Sequence, residues 1–156
     1  MVIDMSEKSL KIDSIENGIV IDHIKAGNSV NIYNYLNLAE LDCVVAIIKN
    51  VKSKKHGSKD LIKIEDTLDI DLEVLGYLDS DATVNIIKDG EIAEKKALVV
   101  PKRLKNVVKC RNPRCICSIE QEIDHIFEIS DERSEVYRCV YCQQEAAKTE
   151  SRLLYK

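Results

Sequence analysis

Six cysteines carry the plainest chemistry in this 156-residue chain. Cys110-x4-Cys115 and Cys139-x2-Cys142 form two close pairs, with 23 residues between Cys115 and Cys139. In each pair a tight turn lets two sulfurs point at one ion. Four thiolates from two such knuckles match a tetrahedral S4 site with metal–sulfur bonds of about 2.3 Å. Soft thiolates select zinc, or iron, over magnesium or calcium. Four protein ligands leave no position for a reactive water, so the expected ion is one structural Zn2+ per chain, held by Cys110, Cys115, Cys139 and Cys142. Cys117 follows Cys115 after a single residue. That gap makes a poorer chelate turn, and Cys117 is left outside the ligand set. Cys43, in the apolar run 43–48, reads as a core residue.

Three lysines form the second candidate. Lys59 and Lys63 are an even number of residues apart, so in an extended strand they share a face and lie about 13 Å apart along it. Such a pair can span a polyphosphate, because ammonium groups act as point charges for phosphate. Lys95, from a later strand, could complete the clamp. The plain alternative is three ordinary surface lysines. Asp22-His23, at the end of a β-branched run, could serve a ribose, although such a pair is more often a solvated strand end.

These groups sit in a chain of uneven charge. The net charge is −4. Residues 1–100 hold 12 Lys, no Arg and 18 acidic residues, a net of −6, whereas residues 101–156 carry a net of +2 and five of the six cysteines. Composition therefore predicts an acidic module over residues 1–100 and a smaller cysteine-rich module over residues 101–156. The longest apolar run is six residues, against the roughly 20 that a membrane helix needs. No membrane partner is expected. The first ten residues hold no apolar segment of the kind a signal peptide carries, so a reducing cytoplasm is expected, with thiols rather than disulfides.

The elements that must position the lysines follow from periodicity. Residues 11–15 and 19–24 read as strands around an Asn17-Gly18 turn. A helix capped by Asn28 or Ser29 comes next. Residues 43–51 and 61–64 read as strands. Asp66 or Thr67 is expected to cap a helix with Leu68, Leu72, Leu75 and Leu78 on its apolar face. Residues 82–87 form a strand, and Lys88-Asp89-Gly90 turns into the last one. This order predicts an α+β fold: a ferredoxin-like sandwich with a mainly antiparallel sheet and two helices on one face, followed by a small metal-bound all-β module. The basic stretch 52–59 raises a rival reading, a nucleic-acid-binding zinc ribbon. Only seven aromatics occur in the chain and none lies in that stretch, so stacking platforms are lacking. No nucleic-acid partner is expected. Nor is there a nucleophile–base pairing or a phosphate-binding glycine loop, so the chain is expected not to be an enzyme.

Read together, four segments resemble the regulatory chain of aspartate carbamoyltransferase. They are Gly18-Ile-Val-Ile-Asp-His-Ile24, Lys59-Asp-Leu-Ile-Lys-Ile-Glu65, Ala82-Thr-Val-Asn85 and the Cys-x4-Cys…Cys-x2-Cys set. The resemblance runs from about Lys11 to Tyr155. It implies a non-catalytic subunit of pyrimidine biosynthesis. CTP and UTP would bind it as inhibitors and ATP as activator. Its zinc module would dock on the catalytic chain, with six regulatory chains, paired as homodimers, joining six catalytic chains. The implied nucleotide site includes Ile12, Asp13, Ser14 and Ile15 on the first strand, and Val20, Asp22 and His23 near ribose and base. Lys59, Lys63 and Lys95 would serve ribose and phosphates, while Asn85, Ile87 and Ile92 line the pocket. The tyrosine found beside the base in family members is Gly90 here.

Overall fold

A computed structural model of the chain describes residues 14–54, 57–67 and 69–146. Ile12, Asp13 and Leu68 lie outside the described residues. Alternation builds the first sheet. In β1 (Gly18–Lys25) and β3 (Gly57–Ile64), Ile19, Ile21, Ile62 and Ile64 face inward and are buried, while the residues between them face the other way. β2 (Val45–Ser53), β4 (Thr83–Lys88) and β5 (Glu91–Ala97) complete a fully antiparallel sheet of order β2-β3-β1-β4-β5. Helix α1 (Ser29–Tyr35) follows β1 and α2 (Leu72–Leu78) follows β3. Ile32 of α1 and Leu75 of α2 join the inward isoleucines in one core, so both helices cover the same face. This is the expected ferredoxin-like unit, with β5 added at an edge.

Three local expectations are corrected. Gly18 makes no hairpin turn; it begins β1, where a Cβ would stand 2.0 Å from the Ile64 carbonyl oxygen. The second helix starts later than Asp66 or Thr67. Asp66 turns back on its own neighbour, accepting from the Thr67 N–H, whereas the Asp71 carboxylate accepts from the Glu73 and Val74 N–H groups and caps α2. Asn28 does occupy the α1 cap position, but its side chain donates to the Leu78 carbonyl instead, tying the start of α1 to the end of α2. The turn after β4 is as expected. Asp89 (φ 52°) and Gly90 (φ 79°) both take left-handed backbone, the pair a tight hairpin needs.

β6 (Arg103–Lys105), β7 (Ile126–Asp131) and β8 (Val136–Cys139) form a second antiparallel sheet, β6-β7-β8. One helical turn, α3 (Ile116–Ile119), interrupts the expected all-β module. Its core gathers Leu104, Phe127, Tyr137 and four buried cysteines, and it takes Val74 from α2. Tyr77 and Tyr137 meet edge to face at 5.1 Å, and the Ser80 hydroxyl donates to Glu135 at 3.1 Å. A Cβ on Gly76 would sit 2.1 Å from the Val99 carbonyl oxygen, so α2 lies directly on the chain that leads to β6. Among the described residues, no helix is long and apolar enough to cross a membrane.

Candidate functional site

The first knuckle is shaped by Asn112. Its carbonyl accepts from the Cys115 N–H at 3.1 Å and its side-chain oxygen from the Arg114 N–H at 3.0 Å. The second closes where β8 ends: the Gln143 N–H donates to the Cys139 carbonyl at 2.9 Å, with Gln143 in left-handed backbone. The two turns bring the sulfurs of Cys110, Cys115, Cys139 and Cys142 within 4.8 Å of one another. Cys110 and Cys142 sulfurs are 3.6 Å apart, and those of Cys115 and Cys139 are 3.7 Å apart. A tetrahedral ion with 2.3 Å bonds spaces its sulfurs by about 3.8 Å, so the donor set fits a metal.

Burial pushes the Cys110 thiol up to about 12, although the Asn112 N–H works against it. Burial acts in the same direction on Cys142, but the Gln144 N–H and the Asn112 side chain outweigh it and bring that thiol down to about 7. Since thiolates and not thiols bind metal, loading the site releases protons, and acid opposes it.

Other residues surround this centre, and of these only Cys117 was marked by its spacing. His125 Nδ1 accepts from the Cys110 N–H at 3.1 Å and holds the first knuckle. The sulfur of Cys117 lies 3.3 Å from that of Cys115 and is buried. Ile116, Ile119 and Tyr141, beside the ligands in sequence, are exposed, Ile119 by 60%.

The lysines occupy the sheet face opposite the core. Lys59, Leu61 and Lys63 alternate with buried Asp60, Ile62 and Ile64, so the two lysines do share a face. Strand register extends the set. Lys63 stands opposite Val20, Val20 opposite Asn85, and Asn85 opposite Lys95, which makes one row across four strands. Among the described residues Lys63 and Lys95 make no ion pair. Asn85 is only 8% exposed, and its Oδ1 is buried with no hydrogen-bond partner among the described residues. Ile87 and Ile92 pair on one side of this row.

On the other side, Asp22 pairs with Thr83 and accepts from Lys59 Nζ at 2.8 Å. Burial raises the Asp22 carboxyl, but Lys59 and the His23 N–H outweigh it and hold the group below its ordinary value. His23 sits in a β-bulge at φ 57°, where one extra residue of β1 opposes β3. Its Nδ1 lies 3.1 Å from Thr83 Oγ1. Ser14 and Ile15 precede β1; Ser14 is exposed and Ile15 half-buried. The register therefore gathers Val20, Asp22, His23, Lys59, Lys63, Asn85, Ile87, Ile92 and Lys95 on one face.

The turn from β1 into α1 and the bulge of β2 at Asn50 are anchored by a residue the sequence did not single out. Asp60 is 0% exposed. Its carboxylate accepts from the Gly27 N–H, the Ser29 N–H and hydroxyl, and the Asn50 N–H.

Comparison with known proteins places these features in a family. Residues 10–99 match the allosteric domain of the aspartate carbamoyltransferase regulatory chain, and residues 102–152 match its metal-binding domain. The regulatory chain of Clostridium acetobutylicum is 52% identical over 135 residues, covering 86% of this chain and 92% of that one. The Clostridium tetani chain is 50% identical over 136 residues, with 86% and 94% covered. That of Bifidobacterium longum is 43% identical over 137 residues, with 88% and 99% covered. With a closed cysteine cluster in one half and a polar sheet face in the other, the chain belongs to the family of aspartate carbamoyltransferase regulatory chains, the non-catalytic subunits of that enzyme.

Proposed function

We propose that this chain carries nucleotide control to the catalytic chains of pyrimidine biosynthesis, with CTP and UTP as inhibitors and ATP as activator. The row Lys63–Val20–Asn85–Lys95 supports this reading most strongly. Lys63 and Lys95, without ion-pair partners among the described residues, supply charge for a triphosphate, in a part of the chain that is otherwise acidic. The buried, unpartnered Asn85 oxygen costs about 1–3 kcal/mol if left unpaired, and a ligand hydroxyl or amino group donating to it would recover that. Asp22, held ionised by Lys59, is suited to a ribose hydroxyl, with His23 beside it. Ser14 and Ile15, with Ile12 and Asp13 before them, would close the pocket.

The effector does no chemistry in this reading. It binds one quaternary state better than the other, by a coupling of about 1–3 kcal/mol. The cysteine cluster would hold one Zn2+, which fixes the two knuckles and gives the thin second core its stability. Ile116, Ile119 and Tyr141 then offer an apolar surface to the catalytic chain. The proposed assembly pairs regulatory chains as homodimers, six with six catalytic chains, in the cytoplasm.

Calorimetric titration of the zinc-loaded chain with CTP and then ATP, at two salt concentrations, tests the site. Saturable, mutually competitive binding that weakens with salt is expected. No heat from either nucleotide would leave the chain as an assembly element without an effector pocket. Lys95→Ala is expected to weaken CTP binding by roughly tenfold or more, the scale of one charged hydrogen bond, with metal content and assembly unchanged. Unaltered CTP affinity in that variant would remove Lys95 from the site.

A further inference from the structure

Four cysteines cluster at the metal centre, and a fifth lies against one of them. The fifth, Cys117, is 2% exposed and its sulfur touches that of Cys115 at 3.3 Å, closer than Cys115 is to its fellow ligand Cys139 at 3.7 Å. Cys115 ends the first knuckle and Cys117 belongs to the single turn α3, so the two side chains come from adjoining backbone and converge on one spot. No disulfide joins them; both are free thiols. Both thiols are buried, and Cys117 is in direct contact with Cys115.

We propose that Cys117 is a reserve ligand: it and Cys115 exchange at one coordination position, while Cys110, Cys139 and Cys142 stay fixed. The exchange changes no oxidation state. The incoming thiol gives up its proton as its sulfur binds, and the departing thiolate takes one up, so charge at the ion is unchanged. A metal held this way can trade one bond at a time and never drops below three thiolates. This rests on the metal reading of the four-cysteine cluster and goes beyond it, because the matched spacing needs only four cysteines.

The test uses full-length wild type, Cys117→Ser, Cys115→Ser and the double variant, loaded anaerobically with cobalt(II). Thiolate-to-cobalt absorption reports how many sulfurs bind. Cys115→Ser is expected to keep a one-to-one complex with four-thiolate intensity, and the double variant to bind at least about 100-fold more weakly than Cys115→Ser, above the effect of a lost outer partner. Equal weakness in Cys115→Ser and the double variant would overturn the proposal. Should both fail to fold, exchange of bound zinc against isotopically labelled zinc in wild type and Cys117→Ser decides. Slower exchange in Cys117→Ser at equal affinity supports a reserve ligand, and equal rates overturn it. Absence of any metal in wild type would instead remove the metal reading itself, and the proposal with it.

Discussion

Cys139→Ala is expected to empty the metal centre and to unfold the second core. Cys139 is fully buried, pairs with Phe127 across β7 and β8, and has the sulfur of Cys115 at 3.7 Å. Structural zinc supplies about 10–16 kcal/mol of apparent folding free energy in small modules, more than the total stability of most domains. A three-stranded sheet around one Phe has no comparable reserve. The expected readings are a metal-to-protein ratio falling from near one to near zero, loss of dispersed amide signals from residues 103–139, and no co-sedimentation with catalytic chains. A variant that kept its metal and assembled normally would show that the cluster does not hold this module together.

The second large effect is expected at Asp60. Asp60→Ala strips the partner from the Gly27, Ser29 and Asn50 N–H groups and from the Ser29 hydroxyl, around a site with no exposure. At about 1–3 kcal/mol for each buried group left unsatisfied, a loss of about 3–5 kcal/mol is expected after partial rehydration, and a fall in melting temperature of roughly 10 °C or more. The pH dependence has a definite sign. Burial raises the Asp60 carboxyl, but hydrogen bonds from Ser29, Asn50 and Gly27 outweigh it and hold the group below its unfolded value of about 3.9. Its charge therefore stabilises the fold fully above about pH 4, and the contribution is lost as pH falls through the lower folded value. Urea melts of wild type and Asp60→Asn should differ most at pH 7 and converge in acid. A gap that widened in acid would mean that the carboxylate is not the stabilising form.

Asp60 also shows where sequence reading stops. Knuckle spacing, strand parity and turn residues are local, and each could be read directly: two cysteine pairs, Lys59 and Lys63 on one face, Asp89-Gly90 in left-handed backbone. The sheet order followed from the alternation of strands and helices. Asp60, however, occupies a register that alternation reserves for apolar residues, and its partners come from two other segments, the turn at Gly27 and Ser29 and the strand at Asn50. The Lys63–Val20–Asn85–Lys95 row was equally hidden, because its strands carry bulges near His23 and Ala93, each adding one residue to one strand. The cap of α2 was misplaced because four acidic residues between 65 and 71 offer competing oxygens, and only packing decides that Asp71 turns inward to the helix. His125 reaches the metal centre through the folded path of the chain, which spacing does not encode.

Helix α2 divides its side chains between the two cores. Leu75 closes the first, Val74 enters the second, Tyr77 meets Tyr137 edge to face, and Gly76 lies against the backbone at Val99. The two sheets thus share a wall and are not beads on a string. Chopping the chain after Val100 would leave that wall facing water on one side, an adhesive stripe on an otherwise charged fragment. Melting of the second sheet should likewise strip Val74 and Tyr77 of their cover, so that its loss weakens the first sheet as well.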